Sequence, residues 1–203
     1  MVETEGALMG QHSVCITVET EGSMTGQNSR CVTVETEESM TGENSLCVTV
    51  ETEASMEWLG RQLAQSTGTG GLTVALQGTL GAGKTTFTRG FLRQCGHLGT
   101  VKSPTFTLVE PYDLAEGSVY HFDLYRLLDP TELEWLGVRD YFSPNTRCLV
   151  EWPERGVGVL PIFDLQVTIH YTDTGRLVEL YASSARGHTV LEALRVLSRN
   201  NAS

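Results

Sequence analysis

Leu72-Thr73-Val74-Ala75-Leu76-Gln77-Gly78-Thr79-Leu80-Gly81-Ala82-Gly83-Lys84-Thr85-Thr86 decides the fold of this chain. Residues 72–76 are an apolar run of strand length, and residues 78–85 fit the phosphate-binding spacing G-x-x-x-x-G-K-[ST]. Beyond them Phe87, Phe91 and Leu92 fall at helical spacing. Strand, glycine loop and helix in that order make an anion site. Glycines let the backbone curl until several N–H groups face one anion. The N-terminus of the following helix adds partial positive charge. On this reading Leu80, Gly81, Ala82, Gly83, Lys84, Thr85 and Thr86 surround the phosphates of a nucleotide such as ATP. Lys84 reaches the β- and γ-phosphates, and the Thr85 hydroxyl ligates Mg2+.

Working outward, 203 residues give room for one domain with an appendage. A core of about 150 residues buries roughly two thirds of its unfolded surface, so folding needs neither disulfide nor metal. No run of eighteen apolar residues suggests a membrane span. The first residues lack the basic-then-apolar design of a leader. The expected location is the cytoplasm.

The formal charge of −11 is unevenly placed. Residues 1–57 hold eleven acids and one base, Arg30, whereas residues 58–203 hold fourteen acids and thirteen bases. The second part is nearly neutral and the acidity belongs to the first. Neither has the basic excess of an autonomous nucleic-acid binder.

Residues 1–57 are acidic because they repeat. Residues 2–17 read VETEGALMGQHSVCIT, 18–33 VETEGSMTGQNSRCVT and 34–49 VETEESMTGENSLCVT, and a fourth copy, VETEASME, opens at Val50 and runs into unrelated sequence at Trp58. Cys15, Cys31 and Cys47 are one per copy, which explains their spacing without chemistry. No C-x-x-C pair is present, so metal or redox use is not expected, and Cys95 and Cys148 read as small buried hydrophobes. Each copy contains one alternating segment, such as residues 31–36, separated by Gly, Asn, Ser and Thr of turn character. Few large apolar residues are available, so residues 1–45 are expected to be weakly ordered and residues 46–203 to form the domain. Residues 47–50 read as the domain's first strand, with the upstream copies as its duplicates.

The rest alternates between strand and helix patterns. A helix is expected over 55–65, from Met56, Leu59 and Leu63, and the phosphate-loop helix ends near Cys95 with Gly96 as its stop. Strands are expected over 106–110, 119–123, 147–151, 165–171 and 177–182, the last two joined by an Asp173-Thr174-Gly175 hairpin. Asp129-Pro130-Thr131-Glu132 starts a short helix that closes at Gly137. Val190, Leu191, Leu194 and Leu197 mark a final helix. The pattern is α/β: a mixed sheet with helices.

A nucleotide-bound Mg2+ needs an anchor besides Thr85, and an acid at a neighbouring strand end supplies one. Asp123 and Glu151 both qualify. Thr105, in Ser103-Pro104-Thr105, reads either as a sensor of the γ-phosphate on a mobile loop or as a turn-stabilising residue. His121 and Tyr125 flank Asp123 and either orient it or pack.

Four blocks together resemble the TsaE family, also called YjeE. They are residues 78–86, residues 101–112 (VKSPTFTLVEPY), residues 121–127 (HFDLYRL) and residues 149–154 (LVEWPE). The resemblance covers roughly residues 48–200. It implies a P-loop NTPase-like mixed β-sheet flanked by helices, to which the repeats add an N-terminal extension. It implies a Mg2+-dependent ATPase, weak alone, that serves the synthesis of threonylcarbamoyladenosine beside the tRNA anticodon. The implied partners are TsaB and TsaD, with tRNA reached only through that complex. In the family's pattern Lys84 and Thr85 are the loop lysine and threonine, Asp123 and Glu151 the strand-end acids, and Trp152 the tryptophan after the second acid. Glu53 falls where the family's N-terminal segment approaches adenine. Thr79 departs from the acidic or amide residue usual after the first loop glycine, and the repeats lie outside the pattern.

Two other functions share these residues. One is a nucleotide-gated binding module with incidental hydrolysis. The other is a small-molecule kinase, which needs an arginine-rich lid, and no compact arginine cluster follows the loop.

Overall fold

In a computed structural model, residues 44–68 and 70–197 are described in full, and residues 12–18, 30–36 and 198–200 through their backbone. The phosphate-loop strand is β4 (Leu72–Gln77), and it occupies the middle of the sheet. It pairs in parallel with β7 (Arg147–Glu151) on one side and with β8 (Leu165–Tyr171) on the other. All five residues of β7 are buried, as expected of a strand covered on both faces. Parallel β6 (Gly117–Asp123) and antiparallel β5 (Val109–Leu114) complete that side. On the other side β8 leads to β9 (Arg176–Ala182), then β3 (Ser45–Val50), β2 (Arg30–Thr36) and β1 (His12–Val18), all antiparallel. The order is β1-β2-β3-β9-β8-β4-β7-β6-β5, a mixed α/β sheet.

Helices α1 (Glu53–Thr67), α2 (Lys84–Gln94) and α4 (Ala185–Asn200) cover one face, α1 packing against both α2 and α4. Their apolar stripes, including Leu59, Leu63, Phe87, Phe91, Val190 and Leu194, join Val74, Leu149 and Val178 of the sheet in one core. The next residues of β7, Cys148 and Val150, turn to a second core with Phe122, Leu124, Leu127 and Leu133. The short helix α3 (Thr131–Trp135) supplies Leu133 to it. Burial raises the Cys148 thiol to about 12 and also lifts that of Cys95, so both behave as hydrophobes.

Two glycines set how closely α1 and α2 approach. A Cβ on Gly60 would lie 2.1 Å from the Phe87 carbonyl oxygen, and one on Gly90 would lie 2.0 Å from that of Glu57. This contact pins the helix that follows the phosphate loop.

Several expected bounds move for local reasons. α1 begins two residues early because Thr52 caps it: Thr52 Oγ1 accepts from Ser55 N at 3.1 Å, and Ser55 Oγ accepts from Thr52 N at 2.9 Å. The strand expected over 106–110 begins only at Val109. Residues 105–107 form a turn, since Leu108 has φ 64° and its N–H donates to the Pro104 carbonyl at 2.8 Å. α3 starts at Thr131, with Asp129 Oδ1 accepting from Thr131 N at 2.9 Å, and Gly137 at φ 67° ends the segment as expected. Short 3-10 turns at Val138–Tyr141 and Pro153–Gly156 are additional. Within the stretch expected to be weakly ordered, residues 1–45, the segments 12–18 and 30–36 extend the sheet as β1 and β2, and residues 1–11, 19–29 and 37–43, with the expected turns, lie outside the described residues.

Candidate functional site

The parallel strands bring the site together. In register, Asp123 of β6 sits beside Glu151 of β7, and Glu151 beside Leu76 of β4, next to the phosphate loop. Two strand-end acids and the loop therefore share the carboxyl edge of one sheet, where open α/β sheets bind ligands. The loop curls through Gly78, Gly81 and Gly83, with φ of 140°, 77° and 117°, which side-chain-bearing residues rarely adopt. A bond from Ala82 N to the Thr79 carbonyl (3.2 Å) closes it.

Lys84 opens α2 and is 4% exposed. Its Nζ donates to the carbonyls of Gly78 (2.7 Å) and Thr79 (3.0 Å) and lies 4.0 Å from the centre of the Trp152 ring. Burial holds the Lys84 ammonium below the usual lysine range, opposed by the charges of Glu151, Asp123 and Glu154.

Beside it, Thr85 Oγ1 donates to Glu151 Oε1 at 2.8 Å. His121 Nε2 meets the same oxygen at 2.8 Å. Glu151 is 3% exposed and His121 fully buried. His121 thus bonds Glu151 across the sheet, while Asp123, two positions on and on the same face of β6, is held by other donors. Asp123 Oδ2 accepts from the hydroxyls of Ser103 and Thr105, the latter at 2.8 Å, and Oδ1 accepts from Tyr125 N at 2.9 Å. The two hydroxyls lie 2.6 Å apart. Thr105 is therefore tied to Asp123, and Ser103 of the same turn makes the same contact.

Trp152 follows Glu151 in the left-handed region at φ 59°. Its N–H donates to the Leu76 carbonyl at 3.2 Å, and its ring packs on Tyr125 with centroids 5.0 Å apart. The unusual backbone turns the indole over Lys84. Lys84, Thr85, Thr105, Asp123, Glu151 and Trp152 line a cleft of about 460 Å³.

A second cleft, of about 300 Å³, lies along the same loop and is lined by Gly81, Ala82, Gly83, Thr86, Glu53, Met56 and Arg176. Glu53 stands at its rim, paired with Arg89 at 2.6 Å. Arg176 and Tyr171 brace the loop from the β8–β9 hairpin. Arg176 Nε donates to the Ala82 carbonyl (3.2 Å), Tyr171 Oη to that of Leu80 (3.3 Å), and the guanidinium stacks on the phenol at 3.7 Å. Neither carries a local sequence signal, because their partners are 94 and 91 residues away. Leu80 is 70% exposed at the loop tip.

Glu151 and Thr85 suit Mg2+, a hard cation commonly held by one or two protein oxygens plus substrate phosphates. No group of three or more His, Cys, Asp or Glu side chains able to cage a metal exists among the described residues. Protein and phosphate together would therefore complete the coordination. No helix among the described residues is long and apolar enough to cross a membrane.

The sequence and the fold find counterparts in known proteins. Residues 50–178 match the family model of threonylcarbamoyl adenosine biosynthesis protein TsaE. The TsaE protein of Haemophilus influenzae is 54% identical over 122 residues, 60% of this chain and 77% of that protein. That of Bacillus subtilis is 44% identical over 99 residues, 49% of this chain and 61% of that protein. The crystal structure of Bacillus subtilis YdiB superimposes with a TM-score of 0.63 at 30% identity, over 75% of this chain and 95% of that one. With a family model matched from the last residue of β3 into the start of β9, a stretch that includes residues 78–85, Asp123 and Glu151, the chain belongs to the TsaE family.

Proposed function

We propose that this chain is the ATP-binding, ATP-hydrolysing component of the machinery that makes N6-threonylcarbamoyladenosine next to the tRNA anticodon. It acts in the cytoplasm on a TsaB–TsaD complex. The observation that carries the proposal is the register of Asp123 and Glu151 beside a phosphate loop whose lysine is buried. In this reading residues 1–45 are an appendage and residues 46–203 the working domain.

The roles follow from the contacts. Mg2+ neutralises charge on the β- and γ-phosphates when bound. Thr85 Oγ1 and Glu151 would hold it, and backbone N–H groups from Leu80 to Thr86 would cradle the phosphates. Lys84 exchanges the Gly78 and Thr79 carbonyls for phosphate oxygens. Asp123 orients the attacking water and takes its proton. Ser103 and Thr105 hold Asp123 until the γ-phosphate competes for their hydroxyls, which links nucleotide state to the exposed Phe106 beside them. Trp152 closes over the lysine. The cleft along Glu53 and Arg176 would take the base.

The nearly neutral charge of residues 58–203 gives little purchase on tRNA, whose affinity draws on phosphate neutralisation. Action through protein partners fits this better. A nucleotide shifts such an association only through different affinity for two states. Association with TsaB–TsaD, measured in ADP and in a non-hydrolysable ATP analogue, should therefore differ between the two. Thr105→Ala should flatten the difference. Equal affinity in both states, or tight tRNA binding by the isolated chain, would overturn the reading. Single-turnover ATP cleavage with and without TsaB–TsaD separates an ATPase from a nucleotide-gated binder.

A further inference from the structure

We propose that His121 is the positioning residue for Glu151, an inference that rests on reading Glu151 as the metal anchor. Two donors converge on Glu151 Oε1: the Thr85 hydroxyl and His121 Nε2, each at 2.8 Å. A cation between Thr85 and Glu151 draws on a lone pair of the Thr85 oxygen, so that hydroxyl has to serve the metal's geometry as well as the carboxylate. His121 is the donor with no metal to serve.

Its surroundings point the same way. The ring is fully buried on β6, and its Nδ1 has no hydrogen-bond partner among the described residues. Burying an unpaired nitrogen costs stability, which a leucine of similar volume would avoid. The imidazole therefore stays for the one bond it makes. Partners that orient a ligating carboxylate typically govern metal affinity by about 10–100-fold.

The test is calorimetric titration of Mg2+ at fixed ADP, with ADP binding in chelator and the melting temperature measured alongside. His121→Leu should weaken Mg2+ by about 10–100-fold, leave Mg2+-free ADP binding unchanged and not lower the melting temperature. His121→Gln, whose amide nitrogen falls near Nε2, should restore most of the loss. Should the leucine variant not fold, His121→Asn, which places its nitrogen near Nδ1, should show the loss beside an intact glutamine variant. Wild-type Mg2+ affinity in His121→Leu or His121→Asn, or equal losses with and without Mg2+, would overturn the inference alone. Absence of any Mg2+ dependence in the unmodified chain would overturn the Glu151 reading beneath it.

The repeats duplicate a core strand, which carries a second inference independently. In β3, Leu46, Val48 and Val50 are 2%, 1% and 1% exposed beside β9. The repeat puts Val14, Ile16 and Val18 at the corresponding positions of β1, and Arg30, Val32 and Val34 at those of β2. The copy in β1 is followed by Glu19-Thr20-Glu21, matching the Glu51-Thr52-Glu53 that leads into α1 and the second cleft.

We infer that β1 is a replacement for β3, able to pair with β9 in its place. Arg30 excludes β2, because it would bury a guanidinium where Leu46 sits. Exchange leaves residues 19–50 as a closed loop, and loop cost grows only slowly with length.

Substitutions in the full chain test this. Val48→Asp alone should lower the melting temperature by no more than about 5 °C and keep ADP binding. Ile16→Asp alone should do little. Together they should abolish cooperative unfolding and ADP binding, whereas Val48→Asp with Val32→Asp should behave as Val48→Asp. Collapse of Val48→Asp alone, or no added effect of Ile16→Asp, would overturn the inference. Rescue that appears only with dimerisation would overturn exchange within one chain.

Discussion

Replacing Lys84 with alanine should cost the chain about a hundredfold or more in ATP and ADP affinity, because charge-assisted bonds to phosphate contribute roughly 1.5–3 kcal/mol each. Lys84 is the basic residue at the head of α2, and it lies across the loop on the carbonyls of Gly78 and Thr79. Nothing along the loop replaces it: Arg176 is committed to the Ala82 carbonyl and the Tyr171 ring. The fold should survive, since the side chain contributes to neither core. Calorimetry with ADP and a melting curve without nucleotide check both halves. Unchanged nucleotide binding by a folded Lys84→Ala variant would remove the basis of the functional proposal.

Asp123→Ala should depress single-turnover ATP cleavage by about a hundredfold or more, the usual scale of a positioned general base. Its effect on ADP affinity should be small, because Asp123 bonds Ser103, Thr105 and Tyr125 and does not touch Lys84 or Thr85. Glu151→Ala should show the reverse order. Glu151 bonds Thr85 directly, so its removal should weaken Mg2+-dependent binding first. Rapid-quench measurement of phosphate release at saturating ATP, set against calorimetric affinities, separates the two acids. Equal losses of affinity from both substitutions would contradict this division.

The division depends on a detail invisible in the chain. Asp123 and Glu151 look alike in sequence, each an acid closing an apolar run. Register sets them side by side, and what differs is their donors. The hydroxyls of the 103–105 turn reach Asp123, whereas Thr85 and His121 reach Glu151. A reading from neighbours in sequence assigns His121 to Asp123, two positions away. In the fold its bond goes across the sheet to Glu151 of β7, and the 103–105 hydroxyls and Tyr125 N take Asp123 instead.

The extent of each element was legible where local interactions set it. β7 and β8 have the expected bounds because unbroken apolar or alternating runs define them. The strand expected at 106–110 failed because Leu108 adopts a positive φ that no local residue pattern announces. Thr52 capped α1 earlier than its apolar stripe indicated, since the stripe reports only the buried face.

By itself the sequence determined the phosphate loop, the α/β class, the two strand-end acids and the family, because each is written in contiguous residues whose local physics is self-sufficient. Glycines at fixed spacing, an apolar run ending in an acid and an N-cap act over a few residues. Only the tertiary structure decided which donor serves which acid. It also placed Arg176 and Tyr171 beneath the phosphate loop and set a buried imidazole with an unpaired nitrogen against Glu151. Those contacts join residues 18 to 94 positions apart. Strand order and register determine them, and both emerge only when the whole sheet is assembled.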